Sequence, residues 1–210
     1  MNNGSYVKRT GILGGTFNPI HIGHLLLAQN ALEFCELDRV LIMPSGCSYL
    51  KDPQTIADTG HRIKMTELAI KDNARFELST IETDRPGNSY TCETLEYLCE
   101  KEPDTEFYYI IGADTIFTMD TWKDPKGIFN RCRIVCARRG GYSDNQLMDR
   151  SAYLKDRFNA DVILMDCVEM PVSSTDIRNL LKKGHSCKYY LDDKVIEYIR
   201  INGLYGIDSN

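Results

Sequence analysis

Short apolar runs alternate along this chain with segments whose apolar residues recur every three or four positions. The runs are typical of β-strands and predict six of them, at TGILGG, RVLIMPS, RFELSTIET, EFYYIIGAD, CRIVCARR and DVILMDCV. The clearest helical spacing follows the first strand and carries Leu25, Ala28, Leu32 and Cys35. Further helices are predicted at HRIKMTELAIKDN, TCETLEYLCEKEP, TIFTMDTW, SSTDIRNLLKKG and LDDKVIEYIRING.

This alternation of strand and helix predicts right-handed βαβ units and therefore an α/β fold. We expect a doubly wound, mostly parallel sheet with helices on both faces. Because the chain has 210 residues, we expect a single domain over 1–210, with a helical C-terminal part from about residue 173. Ligands bind such folds beyond the carboxyl ends of the strands. The predicted ends are polar and rich in glycine: Gly14-Gly15, Pro44-Ser45, Gly112-Ala113-Asp114, Arg138-Arg139 and Ser173-Ser174-Thr175.

Composition narrows the class of protein. A hydrophobic content of 42% allows a substantial core, and a net charge of -5 argues against general binding of nucleic acid. The first residues show no signal peptide, and no apolar run reaches the ~18 residues that a membrane span requires. The eight cysteines include no C-x-x-C pair, and several lie in apolar runs, so we expect reduced thiols in a cytoplasmic protein.

The segment GGTFNPIHIGH lies between the first strand and the first helix. It matches neither the dinucleotide fingerprint nor the P-loop, but a glycine turn before a helix start is a typical anion site. His21 and His24 lie three residues apart, so both imidazoles could face a bound phosphate. A zinc site is the alternative, and we discount it because no third ligand is in reach.

The segment PVSSTDIRNLLKKG has the pattern of a second helix start. Ser173 and Asp176 have the spacing of a capping box, which is a structural role. Ser174, Thr175 and Arg178 are candidate phosphate ligands, since hydroxyls and amides at a helix start bind anions and Arg178 lies one turn further on. A solvated surface charge is the alternative for Arg178.

Both segments resemble the signature motifs of the nucleotidylyltransferase superfamily. GGTFNPIHIGH is similar to its G-G-[ST]-F-[DN]-P turn followed by H-x-G-H, and PVSSTDIR is similar to its I-S-S-T-x-[IV]-R motif. The resemblance implies a Rossmann-like fold and an ATP site. The residues implied to bind ATP are Gly14, Gly15, Thr16, Phe17, His21, His24, Gly112, Asp114, Ser174, Thr175 and Arg178.

The middle of the chain resembles the nicotinate-nucleotide adenylyltransferase family, through GNSYTCETL, IIGADT, Trp122 and CARRGG. This resemblance implies that nicotinate mononucleotide is bound by Lys51, Ser89, Tyr90, Thr91, Trp122 and Arg138, with its ring stacked on the indole. For Arg138 the neighbouring Arg139 is an alternative, and both could be surface charges. Trp122 could instead be a structural plug, and Asp114 could cap the helix that follows it.

Two departures from the family pattern concern the binding loops. The family often has P-H-K where this chain has Tyr49-Leu50-Lys51, so the lysine is retained and the histidine is not. Asn18 stands where aspartate is common, and its side-chain amide can still hold the turn.

The implied reaction is adenylyl transfer from ATP to nicotinate mononucleotide, giving deamido-NAD and pyrophosphate by direct in-line attack. The residues implied to be catalytic are His21, His24 and Arg178, with His24 at the α-phosphate. Mg²⁺ would accompany ATP without a dedicated protein site. The alternatives are a pantetheine-phosphate adenylyltransferase or a cytidylyltransferase of the same fold, or a non-catalytic nucleotide-binding regulator. The preference for nicotinate over nicotinamide mononucleotide and the formation of a homo-oligomer stay open.

Overall fold

The computed structural model describes residues 7–46, 56–138, 141–168 and 170–206. In these ranges six strands form one parallel sheet in the order β3-β2-β1-β4-β5-β6. The strands are β1 (Lys8–Gly15), β2 (Arg39–Pro44), β3 (Phe76–Leu78), β4 (Thr105–Gly112), β5 (Arg133–Arg138) and β6 (Val162–Asp166). The predicted doubly wound α/β fold is confirmed.

Eight α-helices accompany the strands in the described ranges. They are α1 (Ile22–Phe34), α2 (Thr59–Ile70), α3 (Thr91–Lys101), α4 (Ala113–Ile116), α5 (Pro125–Arg131), α6 (Asp144–Phe158), α7 (Ser174–Lys182) and α8 (Asp193–Ile201). Two 3-10 turns, Met119–Thr121 and Leu204–Gly206, follow α4 and α8.

The central strands are buried almost throughout, as expected for parallel strands covered on both faces. In β5 the four residues 134–137 are fully buried. Parallel pairing sets Ile12 opposite Tyr109 and Ile111 opposite Cys136. The strand order reverses beside β1, and ligands of such sheets bind where the order reverses. The carboxyl end of β1 carries Gly14 and Gly15.

The chain separates into two compact units, each drawn from three stretches of sequence. The first unit contains residues up to 13, 28–41 and 90–167, and the second contains 14–27, 42–89 and those from 168 onward. The turn after β1 and the start of α7 are therefore in the second unit.

The third strand is shorter than predicted. The pattern RFELSTIET predicts a strand to residue 83, whereas β3 ends at Leu78. Beyond it the chain turns, because the Thr80 hydroxyl donates to Asp84 at 2.7 Å and the Asp84 amide donates to the Thr80 carbonyl at 2.8 Å. Local side-chain hydrogen bonds of this kind compete with strand pairing.

The helix predicted at TIFTMDTW is also broken. It becomes α4 and the 3-10 turn Met119–Thr121. The hydroxyls of Thr118 and Thr121 donate to the carbonyls three residues earlier, at 3.0 and 2.7 Å, and so favour tight turns over a continuous helix.

Helices α5 and α6 are absent from the sequence-based prediction, although the sequence carries signals for both. Asp124 caps α5 by accepting from the Gly127 amide, and Pro125 is the first helical residue. Ser143 and Gln146 form a capping box at the start of α6. Most residues of α6 are polar, and its narrow apolar stripe has only Leu147 and Leu154 as buried residues. The apolar spacing of this helix is therefore weak in the sequence.

Two further features concern the described residues as a whole. Seven cysteines lie in the described ranges, and all seven are free thiols. No described helix is long and apolar enough to cross a membrane.

Leu147 and Met148 provide a matched test of how α6 packs. Leu147 is 1% exposed and Met148 is 56% exposed. We expect Leu147→Ala to lower the free energy of unfolding by about 2–5 kcal/mol, because it leaves a cavity. Met148→Ala should change it by less than ~0.5 kcal/mol. Urea denaturation measures both, and equal losses would contradict this packing.

Candidate active site

Two residues that pack against each other shape the turn between β1 and α1. Phe17 has a left-handed backbone, with φ at 46°, and its side chain is 1% exposed. A Cβ on Gly15 would lie 2.7 Å from the Phe17 ring, which is too close for a side-chain carbon. Residue 15 must therefore be glycine for the ring to stay buried. Gly14, Gly15 and Thr16 are each half-buried, so their backbone stays accessible.

Asn18 connects this turn to two distant segments of the second unit. Its side-chain oxygen accepts from the Ala57 amide at 3.0 Å and from the Tyr205 hydroxyl at 2.9 Å. Asn18 is 5% exposed, so these hydrogen bonds are shielded from water. Burial raises the pKa of the Tyr205 phenol, while the charges of Arg178 and Arg62 oppose that rise. Tyr205 therefore remains a hydroxyl donor at neutral pH.

The start of α7 contacts the same turn through its side chains. The Ser174 hydroxyl donates to the Pro19 carbonyl at 2.9 Å, and Arg178 donates from Nη1 to the Asn18 carbonyl at 2.8 Å. Arg178 also donates from Nη2 to the Thr175 hydroxyl at 3.2 Å. The two motifs singled out in the sequence thus meet in one unit.

The predicted cap of α7 is present in altered form. The Ser173 hydroxyl oxygen accepts from the Asp176 amide at 3.1 Å, as expected. The Asp176 carboxylate accepts from the Ser173 hydroxyl at 2.6 Å. This return bond goes to the side chain, where a capping box would use the main-chain amide.

His21 and His24 stack on each other, with ring centroids 3.7 Å apart. His24 Nδ1 accepts from the main-chain N–H of His21 at 3.2 Å. A neutral imidazole that accepts at Nδ1 carries its proton on Nε2, so this bond selects a tautomer that can donate from Nε2. His24 is half-buried, whereas His21 is 6% exposed. His24 is therefore the more accessible donor of the two.

The glycine between the two histidines allows close packing. A Cβ on Gly23 would lie 3.1 Å from both His21 Nδ1 and Val172 Cγ1. The first amide of α1, that of Ile22, donates to the Tyr190 carbonyl at 2.9 Å. The sequence predicted free amides at this helix start, and the Ile22 amide is not one of them.

Gly112 and Asp114 lie in the first unit, at the junction of β4 and α4. Gly112 occupies the N-cap position and Asp114 lies in the first turn of α4, where it is exposed. The alternative reading of Asp114 as the helix cap is therefore wrong, because the helix begins one residue before it. Its carboxylate is accessible to a ligand.

Trp122 follows the 3-10 turn after α4 and is half-buried rather than part of the core. Its indole meets the Tyr109 ring edge-on, at 6.3 Å between centroids and 87° between planes. Arg150 holds the preceding segment by donating to the carbonyls of Ile116 and Phe117 at 3.1 Å and by pairing with Asp120. The segment that leads to Trp122 is thus held in place by Arg150.

Tyr90 and Thr91 also lie in the first unit, at the start of α3. The Tyr90 ring lies beneath the Lys123 ammonium, 4.0 Å from its centroid, and Lys123 pairs with Glu93 at 2.6 Å. Ser89 belongs to the second unit, where its hydroxyl donates to the Glu82 carbonyl at 3.0 Å. This bond gives Ser89 a role within its own loop.

Arg138 ends β5 and pairs with two exposed carboxylates, Asp166 at 3.4 Å and Asp144 at 3.8 Å. Within the described ranges its buried Nε has no hydrogen-bond partner. Lys51 and Arg139 lie outside the described residues. No group of three metal-ligating side chains occurs in the described part of the chain.

Sequence reasoning missed two residues that hold the turn, Tyr205 and Arg62. Arg62 is 3% exposed and donates to the Thr16 carbonyl at 2.9 Å. Neither residue belongs to a motif, and both reach the turn through contacts distant in sequence. A single arginine in a helix with apolar spacing gives no local signal of such a role.

With the fold and the turn after β1 described, the chain can be compared with known families. The family model described as "Cytidylyltransferase-like" matches residues 12–180. That range includes both the turn after β1 and the start of α7. The chain therefore belongs to the cytidylyltransferase-like family.

A protein of Lachnoclostridium phytofermentans, named "Probable nicotinate-nucleotide adenylyltransferase", is 40% identical over 199 residues. These cover 95% of this chain and all of that protein. A protein of Clostridium beijerinckii with the same name is 37% identical over 203 residues, with the same coverage. The chain thus belongs to the nicotinate-nucleotide adenylyltransferase family.

Solved structures agree on the fold. Plasmodium falciparum nicotinic acid mononucleotide adenylyltransferase, complexed with APC, has a TM-score of 0.78 at 19% identity. The same enzyme complexed with NaAD has a TM-score of 0.77 at 21% identity. Each comparison covers 97% of this chain and all of the other chain.

The contact between Gly15 and Phe17 can be tested through stability. We expect Gly15→Ala to lower the free energy of unfolding by about 1–3 kcal/mol, because the new Cβ overpacks the ring. In a Phe17→Leu background the loss should be at least ~0.5 kcal/mol smaller, since the ring is gone. Urea denaturation of all four proteins measures the coupling. An equal cost of Gly15→Ala in both backgrounds would refute the contact.

Proposed function

We propose that this chain joins ATP and nicotinate mononucleotide to give deamido-NAD and pyrophosphate, a step of NAD biosynthesis. The observation that carries the proposal is the anchoring of the H-x-G-H turn by Ser174 and Arg178 of α7. This arrangement gathers imidazoles, hydroxyls and a guanidinium, which are all donors to phosphate oxygens. The names of the relatives and the NaAD and APC complexes of the malarial enzyme support the choice of substrates.

In the proposed reaction a phosphate oxygen of nicotinate mononucleotide attacks the α-phosphorus of ATP. A new phosphorus–oxygen bond forms, the bond from the α-phosphorus to the bridging oxygen breaks, and that oxygen leaves with pyrophosphate. The protein need not provide a nucleophile. Its contribution is positioning and stabilisation of charge, as is usual in such transfers.

We assign His24 to the α-phosphate, where its Nε2–H stabilises the charge that develops during transfer. His21 orients His24 through its main-chain amide and its stacked ring, and it donates to the neighbouring phosphate oxygens. Thr175 and Arg178 hold the β- and γ-phosphates. Ser174 joins them through its main-chain amide, since its hydroxyl proton goes to the Pro19 carbonyl.

For the rest of ATP, the backbone of Gly14 to Phe17 approaches the phosphates, and Gly112 with Asp114 binds the adenosine ribose. The accessible Asp114 carboxylate fits that role, since ribose hydroxyls are donors.

Mg²⁺ enters with ATP in this proposal. The donors around the turn are neutral or cationic, which suits phosphate oxygens and not a metal ion. The ion is therefore held by the ATP phosphates and by water, as Mg²⁺ commonly is. When bound, it neutralises charge on the phosphates.

For the pyridine nucleotide we assign the ring to Trp122, supported by Ser89, Tyr90 and Thr91. Trp122 suits a stacking role because it is half-buried and because Arg150 holds the segment that precedes it. Arg138 and Lys51 are assigned to the mononucleotide phosphate, and the buried Nε of Arg138 is a donor that an anion can use. From the free thiols we infer a reducing, cytoplasmic location.

A substrate panel tests the proposed function. The protein is incubated with Mg²⁺, with ATP or CTP, and with nicotinate mononucleotide, nicotinamide mononucleotide or phosphopantetheine. Pyrophosphate release is followed and products are identified by mass spectrometry. We expect deamido-NAD from ATP and nicotinate mononucleotide at the highest kcat/KM. A dominant product from CTP or phosphopantetheine would replace the proposal, and no pyrophosphate release would indicate a nucleotide-binding regulator.

His24→Ala should lower kcat at least ~100-fold, because one donor to the developing charge is lost. The exposed His185 is the matched control, and His185→Ala should leave kcat unchanged. Steady-state kinetics measures both, and circular dichroism checks the fold. Near-normal turnover by His24→Ala would disprove the assignment.

Trp122→Ala should raise KM for nicotinate mononucleotide about tenfold or more, because stacking on the indole is lost, and should leave KM for ATP unchanged. Trp122→Phe keeps an aromatic face and should recover part of the affinity. Equal rises in both KM values would mean that Trp122 has a structural role instead.

A further inference from the structure

Arg62 of α2 is a buried cation without an assigned role. Its residue is 3% exposed. Four hydrogen bonds run from its guanidinium to neutral oxygens of the second unit. These are the carbonyls of Thr16 and Ser45, each at 2.9 Å, the Ala57 carbonyl at 3.2 Å and the Thr59 hydroxyl at 3.1 Å.

One nitrogen of this guanidinium joins the segments that follow two strands. Nη1 donates both to the Thr16 carbonyl, just after β1, and to the Ser45 carbonyl, just after β2. The Ser45 amide in turn donates to the Gly15 carbonyl at 2.8 Å. The carbonyls of Gly15 and Thr16 thus connect the turn after β1, which carries the proposed phosphate-binding backbone, to the segment after β2.

A second path runs from Arg62 to the same turn through Ala57. Nε donates to the Ala57 carbonyl, and the Ala57 amide donates to the Asn18 side chain at 3.0 Å. Arg62 therefore acts on both ends of the segment from Thr16 to Asn18.

The direction of these bonds determines what the turn can present. The C=O and N–H of one peptide unit point in opposite directions, because the unit is planar and trans. With the Thr16 carbonyl held by Arg62, the Phe17 amide faces away from α2. Without the guanidinium this peptide can rotate, and the backbone donors of the turn lose their fixed direction.

We propose that Arg62 is a positioning residue for ATP, which holds the backbone from Thr16 to Asn18 in the orientation that receives the phosphates. The inference rests on the proposed function and extends it to a residue outside both motifs. A competing role, stabilisation of α2 alone, predicts that stability changes and the affinity for ATP does not.

Two substitutions of Arg62 separate these roles. Arg62→Gln removes the charge and most of the donors, and we expect KM for ATP to rise about tenfold or more. KM for nicotinate mononucleotide should stay within about twofold. Arg62→Lys keeps one cationic donor that can serve the Thr16 and Ser45 carbonyls, and it should recover most of the affinity for ATP.

Arg39→Gln is the matched control. Arg39 is another largely buried arginine, on β2 in the first unit, where it donates to Glu102 at 2.5 and 2.7 Å and to Thr10 at 3.3 Å. Its loss should lower the melting temperature while leaving both KM values unchanged.

Steady-state kinetics, calorimetric binding of ATP and thermal denaturation are measured on the wild type and all three variants. The inference is overturned if folded Arg62→Gln keeps the wild-type affinity for ATP, or if both KM values rise together. If Arg62→Gln does not fold, Arg62→Lys decides, because its single donor group replaces only part of the guanidinium's hydrogen bonds: a rise of about two- to fivefold in KM for ATP alone supports the inference, and an unchanged KM for ATP overturns it. Failure of the wild type to make deamido-NAD would refute the proposed function alone, since ATP binding still tests Arg62.

Discussion

Side chains from distant parts of the second unit hold the main-chain carbonyls of the turn after β1. Arg62 holds the carbonyl of Thr16, while Arg178 and Ser174 hold those of Asn18 and Pro19. Outside a strand the backbone loses the ladder hydrogen bonds that fix its direction, and the side-chain bonds described here take their place. The glycines make the turn accessible, and these anchors give it one conformation. The proposed phosphate site depends on both.

The same constraint explains why the chemistry needs few reactive groups. His24 Nδ1 accepts from the main-chain N–H of His21, so the proton of a neutral His24 lies on Nε2. This main-chain hydrogen bond therefore selects the tautomer that the proposed role of His24 requires. Arg178, another proposed phosphate ligand, is held by the Asn18 carbonyl. Donors that are already oriented cost little to reorganise during transfer, and this is how positioning lowers a barrier.

The sequence predicts the sheet and both phosphate motifs because each depends on local pattern. Apolar runs identify the strands, and the turn with its H-x-G-H is a compact signal. It does not predict α6, whose apolar stripe is only as wide as Leu147 and Leu154, or the early end of β3 at a threonine turn. Nor does it predict Arg62 or Tyr205, since their partners are 46 and 187 residues away along the chain. Contacts of that range depend on the completed fold.

In the proposed function the protein positions two nucleotides for one direct transfer and forms no covalent intermediate. The stereochemical course at the α-phosphorus tests this most directly, with a single diastereomer of α-thio-ATP as the adenylyl donor. One in-line displacement inverts the configuration at phosphorus, and the account predicts inversion in the thio-dinucleotide product. Retention would require two displacements through an adenylylated side chain, and it would contradict the account.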